Sequence, residues 1–115
     1  MTAIIAGGRH FIGNEKHELW LKEIFNENKI DYVISGGDTG ADEFGKNFAI
    51  KNRINGIIYS AEWDKYGKKA GPTRNERMAK DADICILFPG GRGTADMKRR
   101  AALHGLDVYE YTGIE

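Results

Sequence analysis

The sequence predicts one three-layer α/β domain: a five-stranded parallel sheet in the order 3-2-1-4-5, with helices on both faces. Two observations carry this. Across 115 residues, short apolar runs alternate five times with stretches of helical character. The first, second and fourth runs end in glycine turns, and in a doubly wound sheet those strands are neighbours, with the order reversing between the first and the fourth.

The first run, Thr2 to Ala6, is short and apolar and ends in Gly7, Gly8 and Arg9. It reads as a buried strand followed by a glycine turn. Asn14 is placed to cap the next helix. Trp20, Leu21, Ile24 and Phe25 recur there at helical spacing, with His17 on the same face, and Asn28 marks the end. The second strand, Tyr32 to Ser35, runs into Gly36, Gly37, Asp38, Thr39 and Gly40. Its helix carries Ala41, Phe44, Phe48 and Ala49 on one side. Gly56 to Tyr59 is the third strand.

A polar connection from Ser60 to Thr73 follows, containing Trp63, Asp64, Lys65, Lys68, Lys69, Gly71 and Pro72. Connections of that length inside a small domain tend to be functional. Thr73 and Glu76 have capping-box spacing, so a helix is expected to start there, with Arg74 in its first turn and Met78 and Ala82 facing inward. Ile84 to Phe88 is the fourth strand. A helix from about Ala95 to His104 follows, stopped by Gly105. The alternating, polar run Asp107 to Tyr111 is a fifth strand at an edge.

The chemistry concentrates on Phe88-Pro-Gly-Gly-Arg-Gly-Thr94. Strand, glycine loop and helix in that order present backbone amides to an anion. Gly90, Gly91 and Gly93 leave the backbone without Cβ atoms, and Thr94 can cap the helix or offer its hydroxyl to a phosphate oxygen. A plain strand-to-helix turn has the same pattern. What favours a phosphate cradle is that two further glycine turns, Gly7-Gly8 and Gly36-Gly37, fall at the same switch point. Arg9, Arg74 and Arg92 can each grip a phosphate in a bidentate fork. Asp38 and Asp42 either meet a ribose hydroxyl or cap the second helix. Trp63 either stacks on a base or anchors its loop. The lysines at 65, 68 and 69 form either a basic flap or a solvated loop.

Other chemistries are excluded or disfavoured. Lysine and arginine balance aspartate and glutamate for a net charge of zero, so the chain as a whole is not a polyanion binder. Cys85 stands alone in an apolar strand, which fits a core residue in a reducing cytosol. No apolar run approaches a bilayer-spanning length, and the N-terminus lacks the basic region of a signal peptide, so a cytoplasmic protein without membrane association is expected. The histidines have no zinc-ligand spacing, so neither a metal nor a cofactor is expected; His17 and His104 are expected on helix surfaces and His10 near the ligand. Thr94 is followed by Ala95 rather than a Walker lysine, and Gly7-Gly8-Arg9 lacks dinucleotide-fingerprint spacing.

Five blocks in order resemble the SLOG superfamily, and within it the small YspA-like group: Gly7-Gly8-Arg9, Ser35 to Asp42, Ala61 to Asp64, Gly67 to Met78, and Phe88 to Met97. The superfamily also includes the lonely-guy phosphoribohydrolases and the DprA-like proteins. The resemblance covers nearly the whole chain, residues 1–115, as one SLOG-type domain. It implies a Rossmann-like fold, a nucleotide or nucleotide-derived ligand, a phage or bacterial context and pairing into homo-oligomers. In the phosphoribohydrolases an arginine in the helix before the loop and a glutamate three residues after the loop threonine serve catalysis. Arg74 matches the arginine, but Met97 stands where the glutamate would be, with Asp96 adjacent and rotated by about 100° on the helix. N-glycosidic cleavage needs a carboxylate at the sugar.

Three functions therefore compete. The first is a nucleotide-binding sensor or carrier, with Ser35, Gly36, Gly37 and the residues above lining its site. The second is a hydrolase of a nucleoside monophosphate using Arg74 and Asp96. The third is a nucleic-acid binder using Lys65, Lys68, Lys69, Lys98, Arg99 and Arg100, the weakest of the three because the net charge is zero and interleaved aromatics are lacking.

Overall fold

The computed structural model describes residues 1–112; the last three residues of the span 1–115 lie outside the described residues. Five parallel strands, β1 (Thr2–Ala6), β2 (Tyr32–Ser35), β3 (Asn55–Ile58), β4 (Ile84–Leu87) and β5 (Asp107–Glu110), pair in the order β3-β2-β1-β4-β5. This is the expected fold and order. The central strands β1 and β4 are buried along almost their full length, as strands covered on both faces must be.

The twofold side-chain period of the strands divides the core into two layers. Ala3, Ile5, Val33, Ile84 and Ile86 point to one face. There they pack against helices α1 (Glu15–Asn28) and α2 (Ala41–Lys51) through Leu21, Ile24, Phe25 and Phe48. Ile4, Ala6, Ile34, Cys85 and Leu87 point to the other, against α4 (Ala70–Asp81) and α5 (Arg92–Leu103) through Met78, Ala79, Met97 and Ala101. Burial pushes the Cys85 thiol up to about 12, so it stays protonated and inert.

Asn14 caps α1 as expected. Its side chain accepts from the amides of Lys16 and His17, and the His17 ring Nδ1 accepts from the Asn14 amide at 3.0 Å. His17, expected on a helix surface, is instead buried. Its ring completes a cluster with Phe11, Phe44, Phe88 and Tyr111, because the turn that satisfies its nitrogen also points the ring into the core.

The connection read as polar loop from Ser60 to Thr73 is largely helical. A short helix α3 (Trp63–Tyr66) and a 3-10 turn (Gly67–Lys69) lead directly into α4, which starts at Ala70. The Thr73–Glu76 capping box is therefore not formed, since Thr73 lies inside the helix and α4 has no side-chain cap. Pro72 is accommodated in the first turn, where its missing N–H has no carbonyl to serve. Likewise α5 begins at Arg92 rather than near Ala95, with Gly91 as N-cap, so Thr94 does not cap it. At the far edge, β3 is exposed along its length, leaving Ile57 and Ile58 half uncovered.

Candidate functional site

The turns after β1 and β4 meet over the point where the strand order reverses. The Gly8 amide donates to Pro89 O at 2.9 Å, joining the two. The turn after β2 is tied to the same place: the Ala41 amide donates to Gly8 O at 3.1 Å, and Thr39 Oγ1 to Arg9 O at 3.0 Å. Most of the glycines here are demanded by this contact. A Cβ on Gly7 would lie 2.7 Å from Ala41 Cβ, and one on Gly8 3.0 Å from Pro89 O. Gly40, at φ +72°, has the Gly8 and Arg9 backbone directly against it.

Above these turns opens a cleft of about 1130 Å³, walled by the glycine turns, the start of α5, and the face of α4 with α3. It receives Gly7, Gly8, Arg9, Asp38, Asp42, Trp63, Arg74, Gly90, Gly91, Arg92, Gly93, Thr94 and Asp96 together. Ser35, Gly36 and Gly37 do not line it. Ser35 is buried at the end of β2 beneath the turn.

The three turns differ in what they offer an anion. The start of α2 is occupied by the protein's own groups, though neither Asp38 nor Asp42 caps it: the Ala41 amide is taken by Gly8 O, Asp42 Oδ2 accepts from the Asp38 amide in the preceding turn at 3.0 Å, and Asp42 and Glu43 put negative charge in the first turn. Burial raises the Asp42 pKa; the Asp38 amide and the nearby Arg74 charge pull it back only in part. The start of α5 is different. The helix takes up its first bond with the Ala95 amide on Gly91 O, at 3.1 Å, and none of the amides of Arg92, Gly93 and Thr94 donates to another described residue. Gly91 and Gly93 have nothing within 4 Å of where a Cβ would sit, so no packing contact calls for glycine at either position.

Arg74 lines the cleft but is first a brace. Its Nη1 donates to Gly36 O at 2.9 Å and to Tyr59 O at 3.4 Å, and its Nε to Asn75 Oδ1 at 3.1 Å. The guanidinium lies against Gly36, whose Cβ would collide with it, and that explains this glycine. Arg9 and Arg92 are exposed at the cleft. Asp96 is engaged by Asn75 Nδ2 at 3.0 Å, Arg100 Nε at 2.9 Å and Arg99 Nη2 at 3.0 Å. Burial raises the pKa of Asp96, but hydrogen bonds from Arg100 and Asn75 and the Arg100 charge outweigh it, and the net shift is downward. Met97 points into the core.

Trp63, 57% exposed, is not a buried loop anchor; it stands at the cleft wall beside Gly71. His10 and Phe11 complete the wall on the β1 side. His104 sits outside the cleft on Glu76. The residue that sequence reasoning passed over is Asn75, buried between α4 and α5. Its only signal was its place between Arg74 and Glu76 in a block that resembles the superfamily. Among the described residues, no three His, Cys, Asp or Glu side chains gather as metal ligands.

No protein-family model matches the chain. Over 87 residues, 69% of this chain and 70% of the relative, it is 37% identical to the Gene 61 protein of Mycobacterium phage D29. The chain belongs to the family of that phage protein. Among solved structures, DNA processing protein A (DprA) from Streptococcus pneumoniae superposes with a TM-score of 0.73 at 18% identity, over 98% of this chain and 50% of that one. The Gene 61 family chain thus has the Rossmann-like fold of DprA and spans about half of that protein's length. None of its described helices is long and apolar enough to cross a membrane.

Proposed function

We propose that this chain binds a nucleotide or nucleotide-derived ligand, with a phosphate on the first turn of α5, and serves as a sensor or carrier module of the YspA-like type. The observation that carries this is the pair Gly91 and Gly93. Neither glycine is required by a packing contact, and both lie at a helix start that lines a roomy cleft and whose first amides have no acceptor among the described residues. Arg92 and Arg9 add positive charge beside that turn, Asp38 offers a carboxylate to a sugar hydroxyl, and Trp63 offers a ring face to a base. The hydrolase alternative has less support. Met97 is buried, and Asp96 is held by three donors with its pKa lowered, which suits neither a general acid nor a free base. The test is thermal denaturation with nucleoside mono-, di- and triphosphates. A ligand at a hundred times its Kd stabilises by about 2.7 kcal/mol, and no free base should be released.

A second reading, single-stranded nucleic acid, is favoured by one observation. Exposed Trp63, Tyr66, Lys65, Lys68 and Lys69 lie side by side on α3 and the turn after it, next to the cleft. The fold shared with a DNA processing protein adds to it. A salt-sensitive mobility shift of an unstructured oligonucleotide would support it over the nucleotide. Self-association, also proposed, is tested by sedimentation at two concentrations.

A further inference from the structure

We infer that Asn75 is the positioning residue of the phosphate cradle, holding the first turn of α5 in its anion-accepting shape; this rests on the proposed reading of that turn. Asn75 is 5% exposed and joins three groups. Its Nδ2 donates to Gly93 O at 3.2 Å and to Asp96 Oδ2 at 3.0 Å, and its Oδ1 accepts from Arg74 Nε at 3.1 Å. All three contacts use it in one orientation, since the amide nitrogen meets two acceptors and the oxygen meets a donor.

The bond to Gly93 O matters because the peptide is planar and trans. The carbonyl of Gly93 and the amide of Thr94 share one plane and point in opposite directions. Fixing the carbonyl toward α4 therefore fixes the Thr94 N–H away from it, out of the helix start. Gly93 lies inside the first turn of α5, where the helix ladder constrains its carbonyl and the Asn75 bond adds a second hold. It has nothing within 4 Å of where a Cβ would sit, and glycine has the widest backbone freedom of any residue. The same side chain ties Arg74, which braces the β2 turn, to the opposite wall of the cleft. Asn75 thus sets the distance between the two walls without itself being the group that meets the phosphate.

The test uses inorganic sulfate, read through the backbone amide resonances of the full chain. In the wild type, the amides of Gly93 and Thr94 and the Asn75 side-chain amide are expected to shift together, with one Kd. Asn75→Ala is expected to weaken sulfate by about tenfold. Asn75→Asp, nearly the same shape, is expected to weaken it at least as much, because it turns an acceptor toward Gly93 O and Asp96. A residue that only filled space would show the reverse, with the isosteric aspartate retaining affinity and the alanine losing it. That result would overturn the inference, as would wild-type Thr94 shifts with the Asn75 side chain unmoved, a measurement that stands even if neither variant folds. If sulfate moves neither Gly93 nor Thr94 in the wild type, the cradle reading itself fails, and the inference with it.

Discussion

Replacing Gly91 with valine tests the anion site at a position where no packed atom stands in the way. The position has φ −102° and ψ −139°, outside the regions a β-branched residue favours, although no atom lies within 4 Å of the new Cβ. The fold is therefore expected to lose about 1–3 kcal/mol through the backbone alone. For a domain of this size each kcal/mol is about 4 °C in Tm. Binding should fall as well. The valine methyls would stand over the amides of Arg92 and Gly93, and an anion held by charge-assisted hydrogen bonds loses about 1.5–3 kcal/mol for each one denied it. Losing one to two bonds amounts to about 3 kcal/mol, or roughly a hundredfold in Kd. Gly8→Val serves as the contrast, since its Cβ would lie 3.0 Å from Pro89 O and 3.2 Å from Gly90 Cα and should unsettle the fold itself. Calorimetric titration with the nucleotide that stabilises the wild type reads the first effect, and thermal denaturation the second. A Gly91→Val protein that keeps its Kd within twofold would refute the reasoning.

Gly36→Ala should cost about 1–3 kcal/mol in thermal denaturation, because the added methyl pushes the Arg74 guanidinium off Gly36 O. Phe88→Ala should cost about 3–5 kcal/mol, since Phe88 is 1% exposed and touches the rings of Phe11, His17, Trp20 and Phe44. The two cleft aspartates, Asp42 buried and Asp96 half-buried, should titrate with opposite signs. Asp96 has its folded pKa below its ordinary 3.8, so its contribution is present above that pH and lost as pH falls through the folded value. Asp96→Asn should flatten the acid side of the stability curve below about pH 4. Asp42 has its folded pKa above 3.8, so its contribution is lost as pH rises through the folded value, and Asp42→Asn should raise stability at neutral pH relative to pH 3.

The sheet was legible because its signals are local and redundant. The first four strands read as apolar runs and the fifth as an alternating one, and the glycines after β1, β2 and β4 mark the strand ends that meet at the reversal. The helix starts were harder to read. The chain from Trp63 to Lys69 folds as α3 and a 3-10 turn although it buries no side chain, so no apolar period announces it. α5 begins at Arg92 with a glycine in its first turn, a residue that propensity places outside helices. His17 shows tertiary structure overriding residue type: the cap at Asn14 satisfies one ring nitrogen, after which the ring packs as an aromatic. In the site, the residues that meet at the cleft were readable from the turns, but their division of labour was not. That Arg74 is committed to carbonyls and that Asn75 joins two helices depend on contacts across 15 to 38 residues of sequence.

Crystals of the chain soaked in sulfate or in the stabilising nucleotide test the central claim most directly. The account predicts an anion within hydrogen-bond distance, about 2.7–3.1 Å, of the amides of Arg92, Gly93 and Thr94. An anion that settles elsewhere in the cleft, or a bound nucleotide whose phosphate points away from α5, would contradict it.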